Sequence, residues 1–303
     1  MKDLMTLSTI SQIHAALGLE KPTHPLVSVV PQNALKTSAF PAGTRVRVDL
    51  YQIWMKQGVD CQMGYGRNTY DFEEGTLAFM KPGQVILAPE ENAQQHTAEG
   101  YLLMFHPDLI RKSPLGDLIY QFSFFNYEVH EALHISENEK ETLYDIVHKI
   151  QIEIGQNIDK HSQSLIVSNL ELLLGYCTRY YDRQFYTRTN LNQEFITKFD
   201  GVLKAYYTSN RHLELGLPSV AYCAESLSMS PNYLGDLVKK ETGSTAQDYI
   251  QGFIINRAKN KLLGTSVSLS EIAYSLGFEY PQHFSKVFKK KTGQTPTAFR
   301  QLN

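Results

Sequence analysis

Laid over itself with a shift of 50 residues, the last third of this chain repeats. PNYLGDLVKKETGSTAQDYI (231–250) then faces PQHFSKVFKKKTGQTPTAFR (281–300), with Pro, Lys, Lys, Thr, Gly and Thr identical at 231/281, 239/289, 240/290, 242/292, 243/293 and 245/295. Apolar partners match as well: Leu234 with Phe284, Leu237 with Val287, Val238 with Phe288, Tyr249 with Phe299. A period of this size means that one supersecondary unit is used twice. Each copy has the same grammar: a short apolar-periodic stretch (220–227; 269–276), a tight break (228–230; 277–280), then a helix opened by proline and closed at Gly243 or Gly293. Ser268 and Glu271 have the spacing of a capping box. The pattern predicts two helix-turn-helix units.

The second helix of the second copy indicates what such a unit offers its surroundings. Over 281–291, Phe284, Val287 and Phe288 are spaced to face a core, which leaves Gln282, His283, Ser285, Lys286, Lys289 and Lys290 outside. Gln282, Lys286 and Lys289/Lys290 follow i, i+4, i+7/i+8 spacing and share a stripe. A helix fits the width of a major groove, where Gln pairs with adenine and Lys reaches guanine or phosphate. A solvated lysine face has the same composition. The doubled unit, and the absence of any acid from 281 to 293, decide for DNA.

Charge is distributed accordingly. The 303 residues carry a net charge of −2, but 190–303 holds 13 Lys and Arg against 9 Asp and Glu, leaving 16 against 22 for 1–189. A basic excess confined to one region suits a polyanion partner. The length suits two domains, and a hydrophobic fraction of 42% suffices for ordinary cores. No apolar run is long enough to span a membrane, and the N-terminus lacks signal-peptide patterning, so a cytoplasmic protein is expected. Cys61, Cys177 and Cys223 are too scattered for a disulfide framework or zinc knuckle and read as core residues.

The first half reads as strands. TRVRVDLYQIWMKQG (44–58) alternates Val46, Val48 and Leu50 with Arg45, Arg47 and Asp49, and short β-rich runs follow, separated by GRN, EEG, KPG and PEENAQQ. This predicts a small antiparallel barrel or sandwich. After about 136 the period becomes helical: Ser136 is placed to cap a helix through Leu143, Ile146, Val147 and Ile150. A second helix starts near Ser162 and carries Leu165, Ile166, Leu170, Leu173, Leu174 and Cys177. The polar, aromatic stretch 180–193 is read as the linker. The expected division is therefore 1–135, 136–189 for the helical hairpin and linker, and 190–303.

Residues 195–303 resemble the DNA-binding domain of the arabinose-regulator (AraC/XylS) family of bacterial transcription regulators. The resemblance rests on Ala224, Leu227, Ser230, Tyr233, Leu234, Lys239, Gly243, Tyr249, Arg257, Ala258, Leu262 and Leu263, then Ile272, Ala273, Gly277, Phe278, Phe284, Phe288, Lys289, Gly293, Pro296 and Arg300. It implies an all-α domain in which two helix-turn-helix units, joined by a long helix (about 246–263), enter successive major grooves of double-stranded DNA. Base contacts would fall on Asn232, Gly235 and Asp236, and on Pro281, Gln282, His283 and Lys286; Lys239 joins the candidate contacts of the first copy. Asp236 departs from the family, which often has arginine or another polar donor there. A carboxylate there either accepts from cytosine N4 or costs affinity near phosphate, and the sequence leaves both open.

The first half more loosely resembles the cupin-like sensory domain of such regulators, which implies a small-molecule effector and a homodimer formed through the helical hairpin. Tyr51, Trp54, Tyr70 and Phe79 are candidate effector contacts, although aromatics on strands commonly fill cores. His24, His96 and His106 are isolated, so neither metal nor cofactor is expected. HEALH (130–134) matches the zinc motif HExxH, which works only on a helix; here it straddles an apparent strand end (FFNYEV) and a cap, and reads as a surface loop. The expectation is a regulator without catalysis. The alternative is a metal-dependent cupin-type enzyme, or an HExxH hydrolase, carrying a helix-turn-helix domain.

Overall fold

The computed structural model describes residues 4–35, 40–41, 44–56, 75–87, 100–128, 131–187 and 189–302. The chain divides into two units, Met1–Thr187 and Arg188–Asn303. The first is rich in sheet, and the second is helical.

In the first unit, β1 (Leu4–Leu7), α1 (Ile10–Ala16), β2 (Val27–Pro31), β3 (Arg45–Val48), β4 (Tyr51–Lys56), β5 (Thr76–Met80), β6 (Gln84–Leu87) and β7 (Gly100–Phe105) precede α2 (Pro107–Ile110), α3 (Pro114–Leu118) and β8 (Leu133–His134). The strands form two sheets, ordered β1-β3-β6 and β2-β7-β4-β5-β8. Pairing is antiparallel except between β1 and β3, which run parallel from Leu4 opposite Arg45 to Leu7 opposite Val48. The expected all-antiparallel arrangement is corrected there. A parallel neighbour needs a long crossover, and the segment between β1 and β3, containing α1 and β2, supplies it.

The alternation read over 45–50 holds in β3, where Arg45 and Arg47 are exposed and Val46 and Val48 buried. The run does not continue as one strand. At Asp49, whose N–H donates to the Leu7 carbonyl and whose carboxylate accepts from Ser8 and Arg47, the chain leaves one sheet for the other. Leu7, Ile10, Ile13, Val30, Val46, Val48, Leu50, Leu102 and Met104 form one buried cluster.

Helices α4 (Glu137–Gly155) and α5 (Ser162–Thr187) form the hairpin read from the sequence, and the Ser136–Glu139 capping box starts the first of them. On α5, Ile166, Leu170, Leu173, Leu174 and Cys177 are fully buried, whereas Leu165 is half exposed. The helix continues through 180–187, which the sequence placed in the linker. Tyr181, Gln184 and Phe185 are buried there at i, i+3, i+4 spacing, so the helix keeps an inward face to its end.

The second unit comprises α6 (Thr189–Thr208), α7 (Arg211–Leu215), α8 (Val220–Ser226), α9 (Pro231–Thr242), α10 (Ala246–Gly264), α11 (Leu269–Ser275), α12 (Pro281–Thr292) and α13 (Pro296–Leu302). Helix α10 is its axle. It buries Ile250, Ile254, Ile255, Ala258 and Leu262 and packs against α8, α9, α11, α12 and α13. The Tyr207 hydroxyl on α6 donates to the Leu276 carbonyl at 3.0 Å, and the Arg257 guanidinium lies 4.5 Å above the Tyr207 ring. Among the described residues, no helix of the chain is long and apolar enough to cross a membrane.

Candidate nucleic-acid interface

Two helix–turn–helix segments, α8–α9 and α11–α12, stand on the α10 scaffold. Their first helices start alike, with Ser219 accepting from the Tyr222 N–H and Ser268 from the Glu271 N–H. Both turns pass through the left-handed region, at Ser228 (φ 56°) and Gly277 (φ 90°). Both then return a hydrogen bond to the first helix, Met229 N–H to the Ala224 carbonyl and Phe278 N–H to the Ala273 carbonyl. These equivalences are 49 residues apart, whereas those of the second helices are 50 apart. The second turn is therefore one residue longer, a difference that the single shift of 50 concealed. As a result α9 is capped by Ser230, whose hydroxyl accepts from the Tyr233 N–H at 3.2 Å, and α12 starts at Tyr280 without a side-chain cap.

Both second helices bury the stripe expected of them: Leu234, Leu237 and Val238 on α9, and Phe284, Val287 and Phe288 on α12. Phe284 and Phe288 are fully buried, and truncating a phenylalanine so placed costs about 3–5 kcal/mol. Outside this stripe lie the candidate contacts. On α9, Asn232 and Lys239 are exposed and Gly235 and Asp236 half-buried; on α12, Gln282, His283, Lys286, Lys289 and Lys290 are exposed and Pro281 and Ser285 half-buried. The structure thus places each set together on the outer side of one helix. The His283 ring meets the Phe278 ring edge to face at 5.5 Å, which fixes one side of it.

Lys291 differs from its neighbours. It lies three, four and seven residues beyond Phe288, Val287 and Phe284, so it shares their inward face, and its Nζ is 2.5 Å from the Asp248 carboxylate on α10. That ammonium, together with the Thr245 hydroxyl, holds the Asp248 carboxyl below the usual carboxylate range. Lys291 is accordingly absent from the outward set read from the sequence, and its register with the buried stripe is the signal that it faces inward.

Of the effector candidates, Tyr51 and Phe79 lie in one place and Trp54 in another. Tyr51 and Phe79 belong to a buried aromatic core: Tyr51 stacks on Phe105 at 4.9 Å, and Phe79 meets Phe124 at 4.5 Å. Trp54 packs on the other side of the sheet against the cluster containing Leu102 and Met104, donates to Gln52 at 2.9 Å and has the Lys56 ammonium 5.7 Å from its ring. Tyr70 lies outside the described residues.

His130 of HEALH also lies outside them. Leu133 and His134 form β8, pairing with Leu77 and Thr76, so the helical turn that zinc ligation requires is absent. The segment is not the surface loop expected: Glu131 and His134 are buried, and residues 123–126 before it form a 3₁₀ turn, not a strand end. The His24 and His106 Nδ1 atoms accept from nearby backbone N–H groups, and His96 lies outside the described residues. Among the described residues no three His, Cys, Asp or Glu side chains are grouped to hold a metal ion. Cys177 and Cys223 are buried free thiols, and burial pushes the Cys223 thiol up to about 11.

A scaffold helix carrying two helix-turn-helix segments with polar outer faces defines a DNA-binding domain. Comparison with known proteins agrees, since a family described as "Helix-turn-helix domain" matches residues 223–302. The chain is similar to the uncharacterized transcriptional regulatory protein YesN of Bacillus subtilis, 41% identical over 93 residues, covering 29% of this chain and 25% of that protein. It is also similar to the bifunctional transcriptional activator/DNA repair enzyme AdaA of Bacillus subtilis (34% identity; 34% of this chain, 47% of that one). The transcriptional activator RhaR of Escherichia coli matches more of the chain (28% identity; 50% of this chain, 53% of that one). Among solved structures, a Chromobacterium violaceum transcriptional regulator with an AraC-type DNA-binding domain aligns with 28% identity and a TM-score of 0.27 over 28% of this chain and 75% of that one. The chain therefore spans about half the length, or less, of these curated relatives. Residues 223–302, within its second unit, are a helix-turn-helix domain of the kind these transcriptional regulators share.

Proposed function

We propose that the whole chain is a sequence-specific transcription regulator of the AraC/XylS type, acting in the cytoplasm as a homodimer and without catalysis. Helices α9 and α12 enter successive major grooves of double-stranded DNA. Asn232 and Gly235, with Pro281, Gln282, His283 and Lys286, face base edges and Ser285 lies beside them; Lys239, Lys289 and Lys290 serve phosphates, and Asp236 either accepts from cytosine N4 or lowers affinity near phosphate. Within the first unit, residues 1–135 are a cupin-like sensory domain for a small molecule, and the hairpin α4–α5 carries the dimer contact. A ligand would act by preferring one arrangement of the chain, shifting DNA affinity by the difference between its affinities for the two.

The observation that carries this reading is the paired second helices, each with an apolar stripe buried inward and its candidate contacts on the outer side. Selection of bound duplexes from random DNA tests it. On the selected site Lys286→Ala should cost about 1–3 kcal/mol, and much less where the contacted base is changed. Lys290→Ala should weaken all sequences alike and lower the salt slope by about one unit. Equal, sequence-blind losses from both would refute the base-reading assignment.

A further inference from the structure

Away from the outer faces, Lys291 is paired with Asp248. Asp248 lies in the first turn of α10, directly after α9 has ended at Gly243, and its carboxylate also accepts from the Thr245 hydroxyl that caps α10. Lys291 lies in the last turn of α12. The contact therefore joins the end of the second recognition helix to the point where the chain leaves the first. The inward face of α12 is otherwise made of Phe284, Val287 and Phe288, whose packing is non-directional, whereas the Lys291–Asp248 pair is directional and links α12 to the start of α10.

The repeat supports a dedicated role. At equivalent positions the first copy has Glu241 where the second has Lys291, and the second has Ala298 where the first has Asp248. The pair thus exists once, linking the two copies, and has no counterpart within either.

We infer that Lys291 is a positioning residue, held by Asp248 and not by a phosphate, that fixes α12 relative to α9 and so sets the spacing of the two DNA segments the domain accepts. This rests on the DNA-reading assignment above. Two recognition helices that enter successive grooves must be separated by about one helical turn of DNA, roughly 10 base pairs, so a looser α12 tolerates a wrong spacing.

The test uses the full chain and duplexes selected from random DNA by the wild type, together with versions in which one base pair is inserted or deleted between the two contacted segments. Lys291→Gln and Asp248→Asn should act in the same direction. Each should weaken the best duplex about three- to tenfold, reduce discrimination against the altered spacings and leave the salt slope unchanged. The exchanged pair Lys291→Asp with Asp248→Lys should recover spacing discrimination, an effect that general loss of stability would not give. Helical circular dichroism confirms that each variant is folded. If Lys291→Gln lowers the salt slope by about one and Asp248→Asn strengthens binding, Lys291 is a phosphate ligand and the proposal is overturned. Unchanged spacing discrimination in folded variants overturns it equally. A wild type that selects no DNA at all would instead sink the DNA reading itself, and the positioning role with it.

Discussion

The carbonyl oxygen of His212 lies 2.9 Å from where a β-carbon on Gly277 would project. Gly216 is as near, at 3.0 Å, and Gly277 has a φ of 90°. The second turn is therefore seated directly against α7 by a residue that must lack a side chain. Gly277→Ala should lose about 1–2 kcal/mol to the left-handed backbone and more to the overlap, since a backbone carbonyl cannot rotate aside. Gly243→Ala is the comparison, with a φ of 70° and nothing within 4 Å of the added carbon. It should show the backbone cost alone. Denaturation followed by helical circular dichroism should rank Gly277→Ala below Gly243→Ala, and equal losses would mean that the close approach to α7 is unimportant. Fluorescence of Trp54, the single tryptophan, should report an unaltered first unit in both.

His212 also gives the second unit a pH dependence. Its ring packs at 4.6 Å on Tyr207. Burial holds its pKa below the ordinary 6.5, and the nearby Arg257 and Lys261 cations add to this. The folded state therefore keeps the ring neutral while the unfolded chain takes up a proton. Its contribution is complete above pH 6.5 and is lost as pH falls through that value toward the lower folded pKa. Asp248 and Glu271, both held low, act in a separate and more acidic window. Stability of the second unit should decline as pH falls through 6.5, and His212→Phe, which preserves the ring contact, should flatten that slope. A slope unchanged by the substitution would assign it to another group.

What was readable in the sequence follows from how each element gets its stability. The two helix-turn-helix segments announce themselves because prolines, glycines and a buried stripe are local signals, and they recur. The break at Asp49 was not readable, because it depends on the Leu7 carbonyl, forty-two residues earlier in the chain. Residues 180–187 looked like a linker because polar groups interrupt the apolar pattern. Two of those polar groups, Arg183 and Gln184, are directed at strand β8, so their inward role shows only once that strand is in place.

Gln184 supplies what a missing neighbouring strand would. Strand β8 is the edge of its sheet; Gln184 accepts from the His134 N–H at 2.8 Å and donates to the Ala132 carbonyl at 3.3 Å. Arg183 donates to the His134 carbonyl at 2.6 Å and pairs with Glu139. Gln184→Leu keeps the size but removes both hydrogen bonds, at about 1–3 kcal/mol for a buried group that finds no replacement. Urea denaturation followed by Trp54 fluorescence should register that loss, whereas Ser168→Ala, exposed on the same helix, should stay within about 0.5 kcal/mol. Indistinguishable midpoints would show that water replaces the glutamine without cost.

The last prediction concerns the hairpin. Of the apolar residues that the second helix carries, Ile166, Leu170, Leu173 and Leu174 are fully buried within the protomer and are unavailable to a partner. What α5 leaves outside is Leu165, 50% exposed, and Leu172, 48% exposed, two turns apart on one face. Two copies related by a twofold axis would bring the same patch of each protomer together, so each substitution enters the interface twice. Leu165→Glu with Leu172→Glu should therefore turn a dimer into a monomer in sedimentation of the full chain at tens of micromolar. The folded protomer should be unaffected, because neither side chain is part of its buried core. A wild type that sediments as a monomer under these conditions would confine the hairpin to packing. A dimer that survives both substitutions would place the contact elsewhere.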